Sequence, residues 1–357
     1  MLDVLIVSLG STGGLRAVDG ELLASLRRAG ARADIARARA PRRMRTLMLT
    51  DLAWALAARR AASEALAREQ ARAVIYSTTT AALSWPRPGA IRFDALAAAN
   101  RPGRHGLWQR PLERRRLREA TLLLPQSEGA LAEAPGAMPD TTDRGGGNGV
   151  KGGVKGARGD VKGGVLVLPV PVEPSSSQDE LAHGPRDIAA ITYAANPAKK
   201  GLDVLLAAWA RVHGPGEQLY VAGVAESELR ALGYALPAEG VRVAGALSPE
   251  DYRALLRRAR AYVCAARRED YGIAQLEALA DGCVLVTVPS PGPYAALPLA
   301  RELDGRLVSE DIGTAMRLAL DDPAAGYADR AARALTPFRR EAVDRRVASE
   351  LLPRFLA

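Results

Sequence analysis

Two series of short apolar runs, one in each half of the chain, alternate with helix-like patterns, and this alternation constrains the fold most. In the first half, DVLIVSLG at 3–10 and TLLLPQS at 121–127 are continuous apolar runs, as expected for strands buried on both faces. In the second half, IAAITYAA at 188–195 and CVLVTVP at 283–289 have the same character. Two consecutive α/β series predict two facing doubly wound Rossmann-like domains, with an interdomain cleft that binds ligands beyond the carboxyl ends of the strands.

The same pattern sets the predicted domain boundaries. The first domain covers 1–174 and contains, at 139–164, a stretch dominated by glycine and charge that we expect to be a flexible surface insertion. The polar stretch at 175–187 is predicted to be the linker. The second domain covers 188–336, and residues 337–357 are predicted to form a helix that packs back toward the first domain.

Composition narrows the class of protein. Hydrophobic residues make up 48% and charged residues 25% of the chain, which is ordinary for a soluble globular protein. Cys264 and Cys283 lie in apolar runs outside any metal-binding pattern, so they predict buried thiols in a reducing cytoplasm. Because no basic region precedes the first apolar run and no run reaches about 18 residues, neither a signal peptide nor a membrane-spanning helix is expected.

Charge is distributed unevenly along the chain. Residues 1–170 contain 27 Arg and Lys against 15 Asp and Glu, a net charge of +12, whereas the remaining residues contain 22 against 25, a net charge of −3. The basic first half favours an anionic partner there, for which a membrane surface is one candidate, and a solvated arginine-rich face is the alternative. Nucleic acid is not expected, because aromatic residues do not interleave with the basic ones.

The stretch REDYGIAQLE at 268–277 places two glutamates at a strand-to-helix turn. Glu269 follows an apolar strand, and a helix is predicted to begin near Ile273, so that the N–H groups over 271–274 lack helical partners. Glu277 falls one turn inside this helix, and its side chain leans back toward the helix N-terminus. Two carboxylates that flank N–H donors suit the vicinal hydroxyls of a sugar, and Gly272 allows close backbone approach.

This segment, continued as REDYGIAQLEALADG, resembles the E-x7-E motif of retaining glycosyltransferases with the GT-B fold, family 4 (group 1) in particular. Glu269, Glu277, Gly272 and Gly282 match the motif. The resemblance implies that Glu277 holds the ribose hydroxyls of a nucleotide and that Glu269 lies beside the donor sugar.

The same resemblance implies that the backbone from Asp270 through Tyr271 and Gly272 to Ile273 meets sugar hydroxyls and the diphosphate.

A second stretch, YAANPAKKGLDVLLAAWARV at 193–212, resembles the G-R-x4-K-G-hydrophobic-D motif of the family. Lys200, Gly201 and Asp203 match, but Ala195 stands where the family has arginine. A lysine at a helix N-terminus is disfavoured by the helix dipole unless an anion lies there. No D-x-D pattern for a metal follows a strand, so Lys200, helped by Lys199 or by an arginine of the first domain, would neutralise the diphosphate.

Weaker matches complete the predicted donor site. Leu247 follows a strand in the segment that resembles the base-binding region of the family. The Gly-rich turn STGG after the first strand places Gly13, Gly14 and Arg16 where they could approach donor phosphates or the acceptor.

The family often has a first-domain histidine that faces the reacting sugar. His105 is the candidate by elimination, since His183 lies in the predicted linker and His213 ends a helix. By position along the chain, Asp94 at a strand end is an alternative.

The resemblance therefore implies a cytoplasmic glycosyltransferase that uses a nucleotide-diphosphate sugar with retention, without a metal or other cofactor. The acceptor (a saccharide, a lipid-linked molecule or a small molecule) is left open, as is a peripheral location at the inner face of the membrane. Two alternatives remain: a hydrolysing nucleotide-sugar epimerase of the same fold, and a transferase-like protein that binds nucleotide sugars with weak or no activity.

Overall fold

The computed structural model describes residues 1–42, 44–101, 103–134, 164–237 and 239–356. These residues form two compact units, Met1–Val170 with Val343–Ala357, and Pro171–Ala342. The predicted flexible insertion lies outside the described residues, except for Gly164 at its end.

The first unit contains a parallel five-stranded sheet in the order β2-β1-β3-β4-β5. The strands are β1 (Leu2–Ser8), β2 (Ala33–Arg37), β3 (Ala71–Tyr76), β4 (Ala90–Phe93) and β5 (Leu122–Pro125). The helices between and after them are α1 (Gly13–Arg28), α2 (Leu47–Arg68), α3 (Thr79–Ala82), α4 (Ala97–Asn100), α5 (Gln109–Glu119) and α6 (Glu128–Ala132), with a 3₁₀ turn at Gly103–Gly106.

Strand β1 shows why the continuous apolar runs form central strands. Successive side chains of a strand point to opposite faces. Leu5 and Val7 accordingly pack in the core on one side of the sheet, while Val4 and Ile6 pack in the core on the other side. A strand with helices on both faces needs apolar residues at every position, which is the pattern seen in the sequence.

The second unit contains another parallel five-stranded sheet, in the order β10-β9-β6-β7-β8. Its strands are β6 (Ile188–Tyr193), β7 (Leu219–Ala222), β8 (Val241–Gly245), β9 (Ala259–Cys264) and β10 (Val284–Thr287). Its helices are α7 (Gln178–His183), α8 (Leu202–Val212), α9 (Glu226–Ala231), α10 (Pro249–Arg258), α11 (Ile273–Ala280), α12 (Ala296–Asp304), α13 (Ile312–Asp321) and α14 (Tyr327–Ala334), with 3₁₀ turns at Gly305–Leu307 and Thr336–Phe338.

The end of the chain joins the core of the first unit. Helix α15 (Arg340–Arg346) is followed by a π-helical turn at Val347–Leu351 and by α16 (Leu352–Leu356). Val343 and Val347 are buried in the same core as β1. Asp344 accepts hydrogen bonds from Ser25 Oγ at 2.5 Å and from Arg28 Nε at 2.6 Å, which ties this segment to α1.

The predicted boundary at 174 lies four residues after Val170, where the first unit passes into the second, and the predicted linker over 175–187 lies within the second unit. The physical reason is Asp281, a fully buried carboxylate at the end of α11. Ser175 donates to it through its N–H at 2.8 Å and through its hydroxyl at 2.9 Å. The polar stretch that the sequence predicts to be a linker is therefore attached to the second unit. The attachment consists of hydrogen bonds from Ser175 to a side chain more than a hundred residues away.

Asp281 also pairs with Arg253 of α10. Arg253 donates from Nε at 2.6 Å and from Nη2 at 2.8 Å to the two carboxylate oxygens, and its Nη2 also reaches the Glu173 carbonyl at 2.8 Å. The guanidinium thus joins α10, the end of α11 and the segment that enters the second unit. A buried pair that is fully hydrogen-bonded costs most when only one partner is removed.

We therefore expect Asp281→Ala to lower the free energy of unfolding by roughly 3–5 kcal/mol, since it leaves the mostly buried guanidinium of Arg253 without its carboxylate. The matched control is Asp321→Ala, which removes an exposed carboxylate that pairs with Arg317 one turn away and should cost less than about 1 kcal/mol. Urea unfolding of both variants measures the two losses in the free energy of unfolding. Equal losses would show that the Asp281 network stabilises the fold no more than an exposed ion pair does.

Candidate active site

The main candidate residues of the second unit lie in and near the loops that follow two neighbouring strands. Strands β6 and β9 are paired in parallel, with Ile188 opposite Ala259 and Ala190 opposite Ala261. Their carboxyl ends therefore lie at one edge of the sheet, where the loop 194–201 leads into α8 and the loop 265–272 leads into α11. This is the edge at which doubly wound α/β folds bind ligands.

The two loops are in close backbone contact. The N–H of Arg267 donates to the carbonyl of Lys199 at 3.0 Å. Gly201, which precedes α8, has a φ of 62°, and a Cβ there would lie 2.0 Å from the carbonyl oxygen of Ala265. Only glycine combines this left-handed backbone with so close an approach. Gly201 therefore allows the lysines before it to reach the carboxylates of the neighbouring loop.

Lys200 and Glu269, predicted from separate motifs, form an ion pair. The Nζ of Lys200 lies 2.5 Å from Oε2 of Glu269, whose residue is only 5% exposed. Gln275 of α11 donates from Nε2 to the same oxygen at 2.9 Å and also contacts Sγ of Cys264 at 3.0 Å. The Glu269 carboxylate is thereby fixed by a cation on one side and an amide on the other.

Lys199 and Asp270 form a parallel pair beside the first. Nζ of Lys199 lies 2.6 Å from Oδ2 of Asp270, and Arg268 Nε lies 3.3 Å from Oδ1. Asp270 is less buried than Glu269, and Lys199 is partly exposed. The two loops thus carry alternating charges within hydrogen-bond distance, and an anionic ligand that approaches the lysines competes with their carboxylates.

Helix α11 begins at Ile273, as the sequence predicted, with Gly272 before it at a φ of 84°. A Cβ on Gly272 would lie 2.6 Å from the ring of Tyr294, so a side chain is excluded there. The N–H of Leu276 donates to the Gly272 carbonyl at 3.1 Å, and the N–H groups before it have no intrahelical partner. Together with the helix dipole they form a site suited to an anion.

Glu277 lies in the second turn of α11, and its side chain is 29% exposed. Burial raises the pKa of its carboxyl group, Arg253 opposes the rise, and Asp281 adds to it. Nη1 of Arg253 lies 3.7 Å from Oε1 of Glu277. The arginine that anchors Asp281 therefore also favours the ionised form of Glu277, the form that accepts hydrogen bonds from ligand hydroxyls.

The remaining second-unit candidates also follow strand ends. Ala195, which replaces the family arginine, is exposed two residues after β6. Leu247 is half-buried two residues after β8. Because both side chains are apolar, these two residues can contribute to a site only through their backbone groups and through the room that they leave for a ligand.

The first-unit candidates lie at the carboxyl edge of that unit's own sheet. Gly13 and Gly14 open α1 and are exposed, and Arg16 is exposed with Nη1 donating to the Gly10 carbonyl at 2.8 Å. Asp94 directly follows β4 and is half-buried. These residues surround the ends of two parallel strands.

His105 lies eleven residues after Asp94, in the 3₁₀ turn between α4 and α5, where it is exposed. The structure therefore places Asp94 at a strand end and His105 in a connection. His105 and Asp94 both stay predictions.

Sequence reasoning missed Gln275 and Arg253. Gln275 is a buried polar residue in the run IAQLEALA, which is apolar apart from Gln275 and Glu277, and that mismatch was the available signal. Arg253 gave no signal, because one arginine among several in DYRALLRRAR does not reveal which of them points inward. Within the described residues, no group of His, Cys, Asp and Glu side chains is arranged to hold a metal ion.

We expect Gly201→Ala to be more destabilising than Gly326→Ala, because both glycines precede a helix at a φ of 62° but only Gly201 faces a backbone atom. Gly326→Ala should cost about 1–2 kcal/mol for left-handed backbone alone. Gly201→Ala should cost at least twice as much, since the new Cβ must push the two loops apart. Chemical denaturation measures both, and equal costs would show that the loops do not depend on this contact.

Comparison with known proteins gives a family match in the second unit. Residues 186–322 match the family model described as glycosyl transferases group 1. No curated protein matches the chain in sequence. Within the described residues, no helix has both the length and the apolar character required to cross a membrane.

Solved structures resemble the chain over almost its whole length. Sucrose-phosphate synthase from Thermosynechococcus elongatus has a TM-score of 0.68 at 15% identity and covers 99% of this chain and 98% of its own. WaaG, a glycosyltransferase involved in lipopolysaccharide biosynthesis, has a TM-score of 0.65 at 13% identity, with 97% and 98% covered. Anabaena HepE, solved with UDP and glucose, has a TM-score of 0.62 at 13% identity, with 98% and 99% covered. Residues 186–322 of the second unit thus match the group 1 glycosyltransferase family model, and the chain as a whole has the GT-B fold of these glycosyltransferase structures.

Proposed function

We propose that the protein transfers a sugar from a nucleotide-diphosphate sugar to an acceptor hydroxyl with retention of configuration at the anomeric carbon. The observation that carries the proposal is the contact of Lys200 with Glu269, beside the N-terminus of the helix that bears Glu277. This arrangement offers a cation and N–H groups for a diphosphate and carboxylates for hydroxyls. Because HepE was solved with UDP and with UDP-glucose, UDP-sugars are the first donors to test.

Glu277 binds the ribose in this proposal. A carboxylate has enough acceptor sites to take hydrogen bonds from both vicinal hydroxyls at once. Arg253 holds the carboxylate from the side of α10 and favours its ionised form. Leu247 lies near the base and contributes through its backbone.

Lys200 and Lys199 bind the diphosphate together with the backbone N–H groups at the start of α11. The diphosphate of a nucleotide sugar carries as much negative charge as Glu269 and Asp270 together, so it can take their place at the two lysines. Glu269 is then directed toward the donor sugar. As the glycosidic bond breaks, negative charge grows on the diphosphate, and cations placed there in advance lower the barrier.

The acceptor attacks on the face from which the diphosphate departs. The departing phosphate oxygen takes the acceptor proton, so no carboxylate forms a covalent intermediate and no metal or other cofactor is required. Residues of the first unit, with His105, Gly13, Gly14 and Arg16 as candidates, bind the acceptor or the donor phosphates. The acceptor is a saccharide, a lipid-linked molecule or a small molecule.

One observation supports a second candidate function, a binding protein without activity. Ala195 removes a cation from the position where the family has arginine, and losing one such group from an electrostatic site commonly costs about a hundredfold or more in rate. Incubation with a panel of UDP- and GDP-sugars separates the candidates. A transferase releases nucleoside diphosphate and a binding protein shows only a rise in melting temperature, whereas neither response would contradict both.

We expect Glu277→Ala to weaken UDP binding by roughly 1.5–3 kcal/mol, because it removes charge-assisted hydrogen bonds to the ribose. The control is Glu302→Ala, an exposed glutamate at the C-terminal end of α12 that should leave binding unchanged. Titration calorimetry gives the affinities. Equal affinity in wild type and Glu277→Ala would remove Glu277 from the site.

The same residue predicts a pH dependence. Burial raises the pKa of the Glu277 carboxyl group, and the group loses a hydrogen-bond acceptor when it is protonated. As the pH is lowered, UDP affinity should therefore begin to fall at a higher pH than it would if Glu277 had the pKa of an ordinary glutamate. Glu277→Gln should bind weakly at every pH and lack this dependence. A wild-type profile that stays flat down to the ordinary glutamate pKa would contradict the assignment.

We expect Ala195→Arg to lower turnover, because Lys199 already supplies a second cation near the diphosphate. Lys199→Ala should then reduce turnover at least tenfold. Ala195→Gln adds similar length without charge and separates crowding from electrostatics. An Ala195→Arg protein several-fold faster than wild type would show instead that the site lacks a cation.

A further inference from the structure

The outer face of α2 in the first unit carries large apolar side chains. Leu49, Leu52 and Leu56 are spaced at i, i+3 and i+7, so they share one face, and they are 45%, 37% and 44% exposed. The fully buried positions of its inner face are alanines, Ala55, Ala58 and Ala62, and the larger Trp54 and Leu66 pack only partly against the core. A helix that packs on a sheet normally has the opposite arrangement, with leucines inward.

Exposed apolar side chains are concentrated in this segment. Nine large hydrophobic residues are exposed in the described part of the chain, and five of them lie within 44–56: Met44, Leu47, Leu49, Leu52 and Leu56. Single exposed leucines are ordinary on protein surfaces, but a contiguous apolar face marks an interaction site.

Arginines surround the leucines. Residues 39–63 contain six arginines and a single acidic residue, Asp51. Asp51 is buried and is held by Arg101 at 2.7 Å, so its charge does not reach the outer face. Arg59 and Arg60 extend the leucine face by one helical turn.

These arginines are not neutralised within the protein. Arg42, Arg45, Arg59 and Arg60 are exposed, and none of them forms an ion pair with another described residue. A surface hollow of ≈ 350 Å³ lies along the same face and is lined by Leu56, Arg59, Arg60, Ser63 and Glu64. The hollow therefore combines two guanidinium groups and a hydroxyl with one carboxylate.

We infer that this α2 face (Leu49, Leu52, Leu56, Arg59 and Arg60) docks on an anionic lipid surface. Anionic lipid offers an apolar layer for the leucines directly beneath negative headgroups for the arginines. A second copy of the chain fits less well, because a symmetric contact would bring the arginines of both copies together. The inference concerns attachment and does not depend on the transfer reaction.

Flotation with vesicles tests the inference on the whole chain. Vesicles of phosphatidylcholine alone are compared with vesicles containing phosphatidylglycerol, at low and high salt. We expect binding only to the anionic vesicles and a steep loss of binding as salt rises. Binding to neither vesicle type, or equal binding to both, would overturn the inference.

Two sets of variants assign the binding to the α2 face. Arg59→Gln with Arg60→Gln should weaken binding about twenty-fivefold, since each arginine near an anionic surface contributes roughly fivefold. Its control is Arg114→Gln with Arg118→Gln, which removes the same charge from exposed positions of α5 in the same unit. Equal losses in the two proteins would show that net charge, and not this face, causes the binding.

The leucines are tested separately. Leu49→Gln with Leu52→Gln and Leu56→Gln should weaken binding at least tenfold while the melting temperature stays close to wild type, because these side chains lie outside the core. Leu232→Gln with Val204→Gln, at exposed positions of the second unit, should bind like wild type. A concentration-dependent dimer that the leucine substitutions abolish would show that a second copy of the chain occupies the face, and would overturn the inference.

Discussion

The parallel pairing of β6 with β9 is the constraint on which the candidate site depends. It brings two loops to one edge of the sheet although about seventy residues separate them in sequence. Gly201 allows the two loops to approach each other closely, since any side chain there would meet the backbone of the other loop. Each motif alone is a helix start with charged residues nearby. Their chemistry arises from the contact between them.

That contact places opposite charges together, and this determines how the site can respond to a ligand. Lys199 and Lys200 each face a carboxylate of the neighbouring loop. In the proposed function, a diphosphate binds by exchange for these carboxylates, and the carboxylates that it displaces become available to hydroxyl groups. Such an exchange would couple recognition of the phosphates to recognition of the sugar.

The sequence predicted the two doubly wound sheets, because strands that are buried on both faces must be apolar throughout. It also indicated Glu269, Lys200 and the start of α11, because short motifs fix local geometry. It did not indicate that Gln275 and Arg253 would hold the two glutamates, since those contacts depend on how separate helices pack.

The polar stretch at 175–187 depends in a similar way on distant contacts. A run of serines and charges resembles a free linker, but hydrogen bonds to the distant Asp281 hold Ser175 to the second unit. Local sequence records the conformational preferences of a segment but not the side chains that come to meet it from elsewhere. The choice between His105 and Asp94 likewise depends on spatial relations that neither motif nor periodicity encodes.

The buried alanines and the exposed leucines of α2 have a consequence for how the sequence of this helix can change. Alanines let the helix lie close to the sheet, so the fold of this region uses one set of residues and the exposed face uses another. Substitutions among the outer leucines are therefore nearly neutral for folding. The fold and the surface can diverge independently, and related chains could keep the same architecture while this helix is adapted to quite different surroundings.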